Sequence, residues 1–149
     1  MVYKILFNIL TAIAVMLTLV GCDPSYSYSV YVKNTTSQTI TFCAIPKGGS
    51  DSLESYYFNQ KINHLTLNEG EKGLLIRDGG LGTISSDDLS WIIDGAYPYG
   101  IVIKFENGDS LVYYPKGAYK DFHSPYNKNS FFSVDKTEYE MVSEYYVLY

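Results

Sequence analysis

The stretch GIVIKFENGDSLVYYP, residues 100–115, carries the clearest local signal for β-structure in this chain. Two apolar runs flank Asn107-Gly108, a dipeptide typical of two-residue type I′ hairpin turns, which need positive φ at both central positions. The sequence therefore predicts a hairpin closed by this turn, with Glu106 facing Asp109 beside it. The predicted cross-strand pairs are Ile103 with Val112, Ile101 with Tyr114, and Phe105 with Ser110.

A second region of alternating residues lies nearer the N-terminus. The segments YSVYVKN (28–34) and TITFCAI (39–45) each place apolar side chains on one face, and the polar residues of NTTSQ separate them. If the two strands pair around that turn, their apolar faces coincide. The predicted pairs are Val32 with Ile40 and Val30 with Phe42.

One helix is predicted between these regions, within ISSDDLSWIIDG (84–95). Ser85 suits the N-cap and Gly95 suits the C-terminal stop, so the helix is expected near residues 86–94. Its buried stripe would consist of Leu89, Ile92 and Ile93. A strand through SWIID (90–94) is the alternative interpretation of the same residues.

The remaining pattern favours a single domain of mostly β-structure. The C-terminal segment FFSVDKTEYEMVSEYYVLY (131–149) is strand-like and too apolar to leave in water. Several short strands with turn signals and one short helix predict an antiparallel β-sandwich, immunoglobulin-like or related. We expect this domain to span residues 27–149.

The N-terminal segment, residues 1–21, is typical of an export signal. Its apolar run ends at Leu19-Val20-Gly21-Cys22, which resembles the lipobox of bacterial lipoproteins. The resemblance implies that Cys22 receives a diacylglycerol and becomes the mature N-terminus, with residues 22–26 as a short tether that holds the chain at the membrane through its lipid. A transmembrane anchor or an ordinary secretory signal are the alternatives.

Charge and location are consistent with an envelope protein. The formal net charge is −5, which argues against a nucleic-acid partner and against a polybasic membrane patch. Asp23, directly after the cysteine, resembles the inner-membrane retention signal of enteric lipoproteins. We therefore expect a lipid-anchored protein of the bacterial cell envelope that faces the periplasm.

A wider resemblance covers most of the mature chain. The lipobox, followed by VYVKNTTSQTITF (30–42), IVIKFENGDSLVYY (101–114) and SPYNKNSFF (124–132), is similar to small lipoproteins of Bacteroides-type gut bacteria. This resemblance implies the fold and the envelope location and implies no activity. Asp51-Ser52-Leu53 also resembles the O-glycosylation sequon of such bacteria, as does Asp109-Ser110-Leu111, and Ser52 is the better candidate because Ser110 is placed on an apolar strand face.

Catalytic and metal-binding patterns are sparse. Once Cys22 is lipidated, Cys43 is left without a disulfide partner, and we interpret it as a small buried strand residue rather than a catalytic thiol. His64 and His123 are isolated, and the aspartates 87, 88 and 94 suit a helix terminus better than a calcium loop. We expect no metal, no cofactor and no enzymatic activity, although paired carboxylates brought together by the fold remain an open alternative.

The 16 tyrosines are the main compositional oddity. Tyrosine suits sandwich strands, but its flat ring with a polar tip also suits sugar or protein contacts. The leading functional hypothesis is a non-enzymatic interaction or structural module, and the alternative is a carbohydrate-binding accessory lipoprotein. The aromatics expected to contact a ligand lie in loops: Tyr97, Tyr99, Tyr119, Phe122 and Tyr126.

Overall fold

The computed structural model describes residues 25–46, 60–118, 120–137 and 139–148. Its strands are β1 (Ser25–Asn34), β2 (Ile40–Ala44), β3 (Gln60–Lys61), β4 (His64–Leu67), β5 (Lys72–Leu81), β6 (Ile101–Phe105), β7 (Ser110–Tyr113), β8 (Phe131–Lys136) and β9 (Glu140–Val147). The helix α1 (Leu89–Ala96) follows a 3-10 turn at Ser86–Asp88. A one-turn helix α2 (Pro115–Ala118) and a 3-10 turn at Lys128–Ser130 precede β8.

The strands form two sheets that share one core. The five-stranded sheet has the order β3-β5-β1-β9-β8, and the four-stranded sheet has the order β4-β2-β6-β7. Alternating side chains from both sheets, together with α1, make a single cluster of buried apolar residues, so the predicted β-sandwich architecture is confirmed. Core residues contributed by the sheets include Val30, Val32, Ile76, Met141, Tyr145, Ile40, Phe42, Ile101, Ile103 and Phe105.

The predicted hairpin between β1 and β2 is wrong. β1 pairs with β5 and β9, whereas β2 pairs with β4 and β6 in the other sheet. Val32 and Ile40 both face the core, as the alternation predicts, but they do so from opposite sheets. The β1–β9 pair is also parallel, which departs from the fully antiparallel sandwich that the sequence predicts.

The crossover between the two sheets is organised by Asn34, which is fully buried at the end of β1. Its side-chain amide donates to the carbonyl oxygens of Gln38 (2.7 Å) and Leu67 (3.1 Å). Its Oδ1 accepts from the backbone N–H (3.0 Å) and the hydroxyl (2.8 Å) of Thr36. The polar segment NTTSQ (34–38), which the sequence predicts to be a hairpin turn, is therefore an ordered connection from one sheet to the other.

The hairpin in residues 100–115 forms, but its turn is not type I′. Gly108 has a φ of +93°, whereas Asn107 has no positive φ. The backbone N–H of Gly108 donates to the carbonyl of Phe105 (3.0 Å), and Phe105 donates to that of Asp109 (2.9 Å). The loop therefore has three residues and a glycine in the left-handed region, the other common hairpin form.

This turn shifts the predicted register by one residue. Ile103 lies opposite Leu111, and Ile101 lies opposite Tyr113. Because side chains alternate along a strand, the shift puts Leu111 and Tyr113 on the inner face and leaves Val112 and Tyr114 exposed.

The predicted pairs next to the turn are also replaced. Ser110 lies opposite Lys104 rather than Phe105. Asp109 is engaged by Asn107 instead of facing Glu106 across the strands: the Asn107 amide donates to its carboxylate (2.8 Å), and Asn107 Oδ1 accepts its backbone N–H (3.0 Å). The predicted facing pair of Glu106 and Asp109 is therefore not formed.

The predicted helix is confirmed, but both of its ends differ from the prediction: residues 86–88 form a 3-10 turn, α1 begins at Leu89, and its N-cap is Asp88, without a side-chain capping bond, rather than Ser85. The Asp88 carboxylate accepts the Ser85 N–H (2.7 Å), and the Ser85 carbonyl accepts the Asp88 N–H (3.0 Å), which fixes the start. The stripe of Leu89, Ile92 and Ile93 is buried as expected. Gly95 does not stop the helix, because α1 continues through Ala96, and the strand alternative is wrong.

The N-terminal boundary of the fold also differs from the prediction. β1 begins at Ser25, so the last two residues of the predicted tether (22–26) belong to the strand. The predicted leader and Cys22 lie outside the described residues. Within the part of the chain that is described, no helix is long and apolar enough to cross a bilayer.

Candidate binding surface

Two of the aromatics expected to contact a ligand belong to the core. Tyr97 and Tyr126 are each almost completely buried. The Tyr97 hydroxyl donates to the carbonyl of Ile62 (2.8 Å), and the Tyr126 hydroxyl donates to the carbonyl of Tyr97 (2.5 Å). Burial raises the pKa of Tyr97 far above its ordinary value, so this hydroxyl stays protonated and serves as a donor. These rings hold loops onto the sandwich and are not available to a ligand.

The other predicted aromatics do not form a common surface. Tyr99 and Phe122 are 40% and 67% exposed, and no ring contact joins them in the described chain. Tyr119 lies outside the described residues. Single exposed apolar side chains are ordinary on protein surfaces, so these two rings alone do not mark a site.

The remaining candidate residues are scattered. Cys43 lies in β2 as predicted but is only half-buried, on the outer side of the four-stranded sheet, and has a free thiol. His64 and His123 are exposed, and the described residues contain no group of three His, Cys, Asp or Glu side chains placed to hold a metal ion. Ser52 lies outside the described residues. Ser110 is exposed rather than placed on the apolar face, because of the register shift.

The outer face of the five-stranded sheet gathers cations and aromatic rings that are distant in sequence. Register places Tyr31 opposite Glu144 and Lys33 opposite Tyr146 in the β1–β9 pair. On the other side of β1, Lys33 lies opposite Lys72. We call the following set the outer strip: Tyr31, Lys33, Lys72, Arg77, Phe132, Glu144 and Tyr146.

The cations of the outer strip are held in defined positions. Lys72 Nζ lies 2.6 Å from Glu144 Oε1 and 4.8 Å from the ring centroid of Tyr31, so it reaches across β1 from β5 to β9. Arg77 donates from Nη2 to the Tyr31 hydroxyl (3.5 Å), and Lys33 Nζ lies 5.4 Å from the ring of Tyr146. Cation–ring contacts of this kind orient a charged group while leaving part of it in solvent.

The aromatic part of the strip is a stacked pair. Phe132 and Tyr146 have ring centroids 5.3 Å apart and an interplanar angle of 18°. Phe132 is 58% exposed on β8, which is the edge strand of the sheet. An oriented pair of rings beside a lysine, with Phe132 exposed and Tyr146 half-buried, offers both a flat apolar contact and a charge to a partner.

The electrostatics of the strip favour an anionic or polar partner. The hydrogen bond from Lys72 lowers the pKa of Glu144, and the same bond raises the pKa of Lys72, so both groups stay charged near neutral pH. Three cations thus lie near Glu144 on this part of the face, whereas Glu140 and Asp135 lie farther along β9 and β8, in a chain whose net charge is −5. The outer strip is a local exception to the acidic balance of the chain.

A shallow groove lies on the four-stranded sheet and is a weaker candidate. Its volume is about 230 Å³, and it is lined by Thr39, Thr41, Lys104, Phe105 and Glu106. Small-molecule pockets typically occupy about 300–1,000 Å³ and enclose their ligands. The flat outer strip is therefore the better candidate for a functional surface.

Comparison with protein-family models, curated proteins and solved structures gives no match to this chain. The outer strip must therefore be interpreted through its own chemistry. Alternation along YSVYVKN (28–34) predicts that Tyr31 and Lys33 lie on the face opposite Val30 and Val32, but it does not predict their neighbours on β5, β8 and β9.

Proposed function

We propose that this chain is a non-enzymatic lipoprotein, anchored in the cell envelope through Cys22, that binds a partner through the outer strip. The observation that carries the proposal is the alignment of cations and aromatic rings from four strands on one exposed sheet face. Protein-binding surfaces are enriched in tyrosine, phenylalanine and arginine, which make up four of the seven residues of this strip, whereas its two lysines and one glutamate are of types depleted there.

The anchoring part of the proposal is supported by the N-terminal sequence. Residues 5–20 are almost wholly apolar and lead directly into Val20-Gly21-Cys22. Two or more acyl chains hold a protein stably at a bilayer, since each buried methylene contributes about 0.8 kcal/mol. Such an anchor leaves the folded domain outside the hydrocarbon, with its sheet face accessible.

The anchoring is tested with Cys22→Ser, which removes the thiol that would carry the lipid. We expect the variant to leave the membrane fraction, or to stay there as an unprocessed precursor that takes up no labelled fatty acid. Cys43→Ser is the matched control and should keep both labelling and fractionation. Fatty-acid labelling that persists in Cys22→Ser would show that the lipid anchor has been assigned wrongly.

Carbohydrate binding is the second candidate function, and the stacked Phe132–Tyr146 pair is the observation that favours it. Aromatic faces stack on the apolar faces of sugar rings. This pair, rather than the loop aromatics that the sequence suggests, would be the contact surface.

Both candidates predict that Phe132 contributes to binding. Phe132→Ala is expected to weaken binding by about 1 kcal/mol, or roughly fivefold in Kd, because it removes an oriented ring. Val112→Ala, exposed on the other sheet, is the matched control. A photo-crosslinker at position 132 that captures a discrete protein supports the interaction module, whereas retardation in polysaccharide gels that Phe132→Ala reduces supports glycan binding. If the variants at positions 132 and 112 behave alike in both assays, the outer strip is not the binding surface.

A further inference from the structure

Two of the three cations of the outer strip have no acidic partner. Arg77 donates from Nε to the Ser29 hydroxyl (3.3 Å) and from Nη2 to the Tyr31 hydroxyl, and both acceptors are neutral. Lys33 Nζ lies over the ring of Tyr146. In the described part of the chain neither side chain is within ion-pair distance of a carboxylate, whereas the third cation is paired. Both charges are therefore available to negative groups of a ligand.

The nearby acidic side chains point elsewhere or lie apart from these cations. The Glu71 carboxylate accepts a backbone N–H in the turn between β4 and β5 (2.8 Å). Asp78 follows Arg77 directly and so lies on the opposite face of β5. Asp135 is level with Arg77 but three strands away, about 14 Å at 4.8 Å per strand. Glu140 is two strands away and two residues beyond that level. This part of the face therefore has a surplus of positive charge.

The two unpaired cations are well separated. In the β1–β5 pair, Arg77 lies opposite Ser29, four residues before Lys33. At about 3.3 Å per residue, this is about 13 Å along the strands. The Lys33 ammonium lies toward β9, over Tyr146, whereas Arg77 approaches β1 from β5. An anion the size of sulfate does not bridge groups held this far apart. A ligand that uses both cations therefore carries negative groups at intervals along an extended chain.

The aromatic pair lies beside Lys33, next to a bulge in β8. The register shifts between Phe131 and Ser133, which leaves Phe132 out of the regular pairing with β9. Phe131 is buried, while Phe132 is mostly exposed. The Phe132 ring stacks on Tyr146, whose ring also holds the Lys33 ammonium. A ligand ring stacked on Phe132 would therefore have a positive charge next to it.

We infer that the ligand of the outer strip is an acidic polysaccharide, a chain of sugar rings that carry carboxylate or sulfate groups. The apolar faces of its sugars would stack on Phe132, and its anionic groups would contact Lys33 and Arg77. This inference rests on the proposed function and specifies the ligand class of its carbohydrate candidate. Charge complementarity supports it, and lysine is depleted in protein interfaces but suits anionic groups.

The ligand class is tested with polymers that differ in charge. The full chain, purified from membranes in a neutral detergent, is applied to immobilised polygalacturonate, dextran sulfate and uncharged dextran, and binding is followed by biolayer interferometry. We expect at least one acidic polymer to bind more tightly than dextran, and the one that binds identifies carboxylate or sulfate as the recognised group. Binding should weaken as the ionic strength rises from about 0.01 M to about 0.15 M, since the Debye length falls from about 30 Å to about 8 Å.

Substitutions identify the surface that binds. Lys33→Gln with Arg77→Gln removes the two unpaired charges and should weaken binding of the acidic polymer about tenfold at low salt. Lys104→Gln with Lys116→Gln is the matched control, because it changes the net charge equally at exposed positions outside the five-stranded sheet. Phe132→Ala, which keeps every cation, should also weaken binding. Circular dichroism checks the fold of each variant.

The inference is overturned if neither acidic polymer binds, if the two double variants bind alike, or if duplex DNA binds as tightly as the acidic polymers. If the crosslinker at position 132 captures a protein in any of these cases, the outer strip remains the binding surface of the proposed function, with a protein as its partner. If the variants at positions 132 and 112 also behave alike, the proposed function fails together with the inference.

Discussion

Replacing Asn34 with alanine is expected to lower the free energy of unfolding by about 3 kcal/mol. The substitution leaves the carbonyl of Leu67 and the N–H of Thr36 without their side-chain partner in the interior. Unpaired buried polar groups cost about 1–3 kcal/mol each, and the lost amide also leaves a small cavity. Chemical denaturation of the parent and variant measures the change.

Asn68→Ala is the matched control for that measurement. Asn68 is exposed in the turn between β4 and β5, and its side chain accepts a long hydrogen bond from Thr39 (3.4 Å). An exposed substitution of this kind usually changes stability by less than about 0.5 kcal/mol. Equal stability of the Asn34 and Asn68 variants would show that the crossover does not depend on the buried amide.

The role of Asn34 also explains why alternation along the sequence predicts the wrong pairing for β1 and β2. Alternation identifies which side chains face the core, and it did so correctly for Val30, Val32, Ile40 and Phe42. In a sandwich the two sheets share that core, so the pattern is the same whether consecutive strands are neighbours or face each other. The side-chain hydrogen bonds of Asn34 stabilise the arrangement in which β1 and β2 belong to different sheets, and they exist only in the folded chain.

The sequence does not determine the register of the β6–β7 hairpin, for a different reason. The run Leu111-Val112-Tyr113-Tyr114 is apolar at every position, so either face could be buried at similar gain. Asn-Gly fits a two-residue turn, but a glycine in the left-handed region also suits a three-residue loop. The turn was therefore located correctly, while the choice of inner face depended on packing against the rest of the core.

The outer strip was the least predictable feature. Its members come from strands that are far apart in sequence, such as Lys72 on β5 and Glu144 on β9, which meet across β1. Alternation predicts that each of them points outward, but only long-range pairing places them together.

A tyrosine in the sequence can belong to the core or to a binding surface, because the same ring suits both. Substitutions at Tyr126 test which of these roles this residue has. We expect Tyr126→Ala to lower the free energy of unfolding by about 3–4 kcal/mol, since it removes a fully buried ring. It also removes the hydroxyl that satisfies the carbonyl of Tyr97. Tyr126→Phe, which keeps the ring, should cost only about 1 kcal/mol.

Phe122 provides the control for this prediction, because it lies in the same loop and was expected from sequence to have the same ligand-binding role. Its ring is mostly exposed, so Phe122→Ala should leave the melting temperature nearly unchanged. If Tyr126 serves the fold, thermal melts should give the lowest melting temperature for Tyr126→Ala and a smaller decrease for Tyr126→Phe. Phe122→Ala should melt close to the parent chain. A Tyr126→Ala chain that melts like the parent but loses binding to a partner would instead return Tyr126 to the ligand surface.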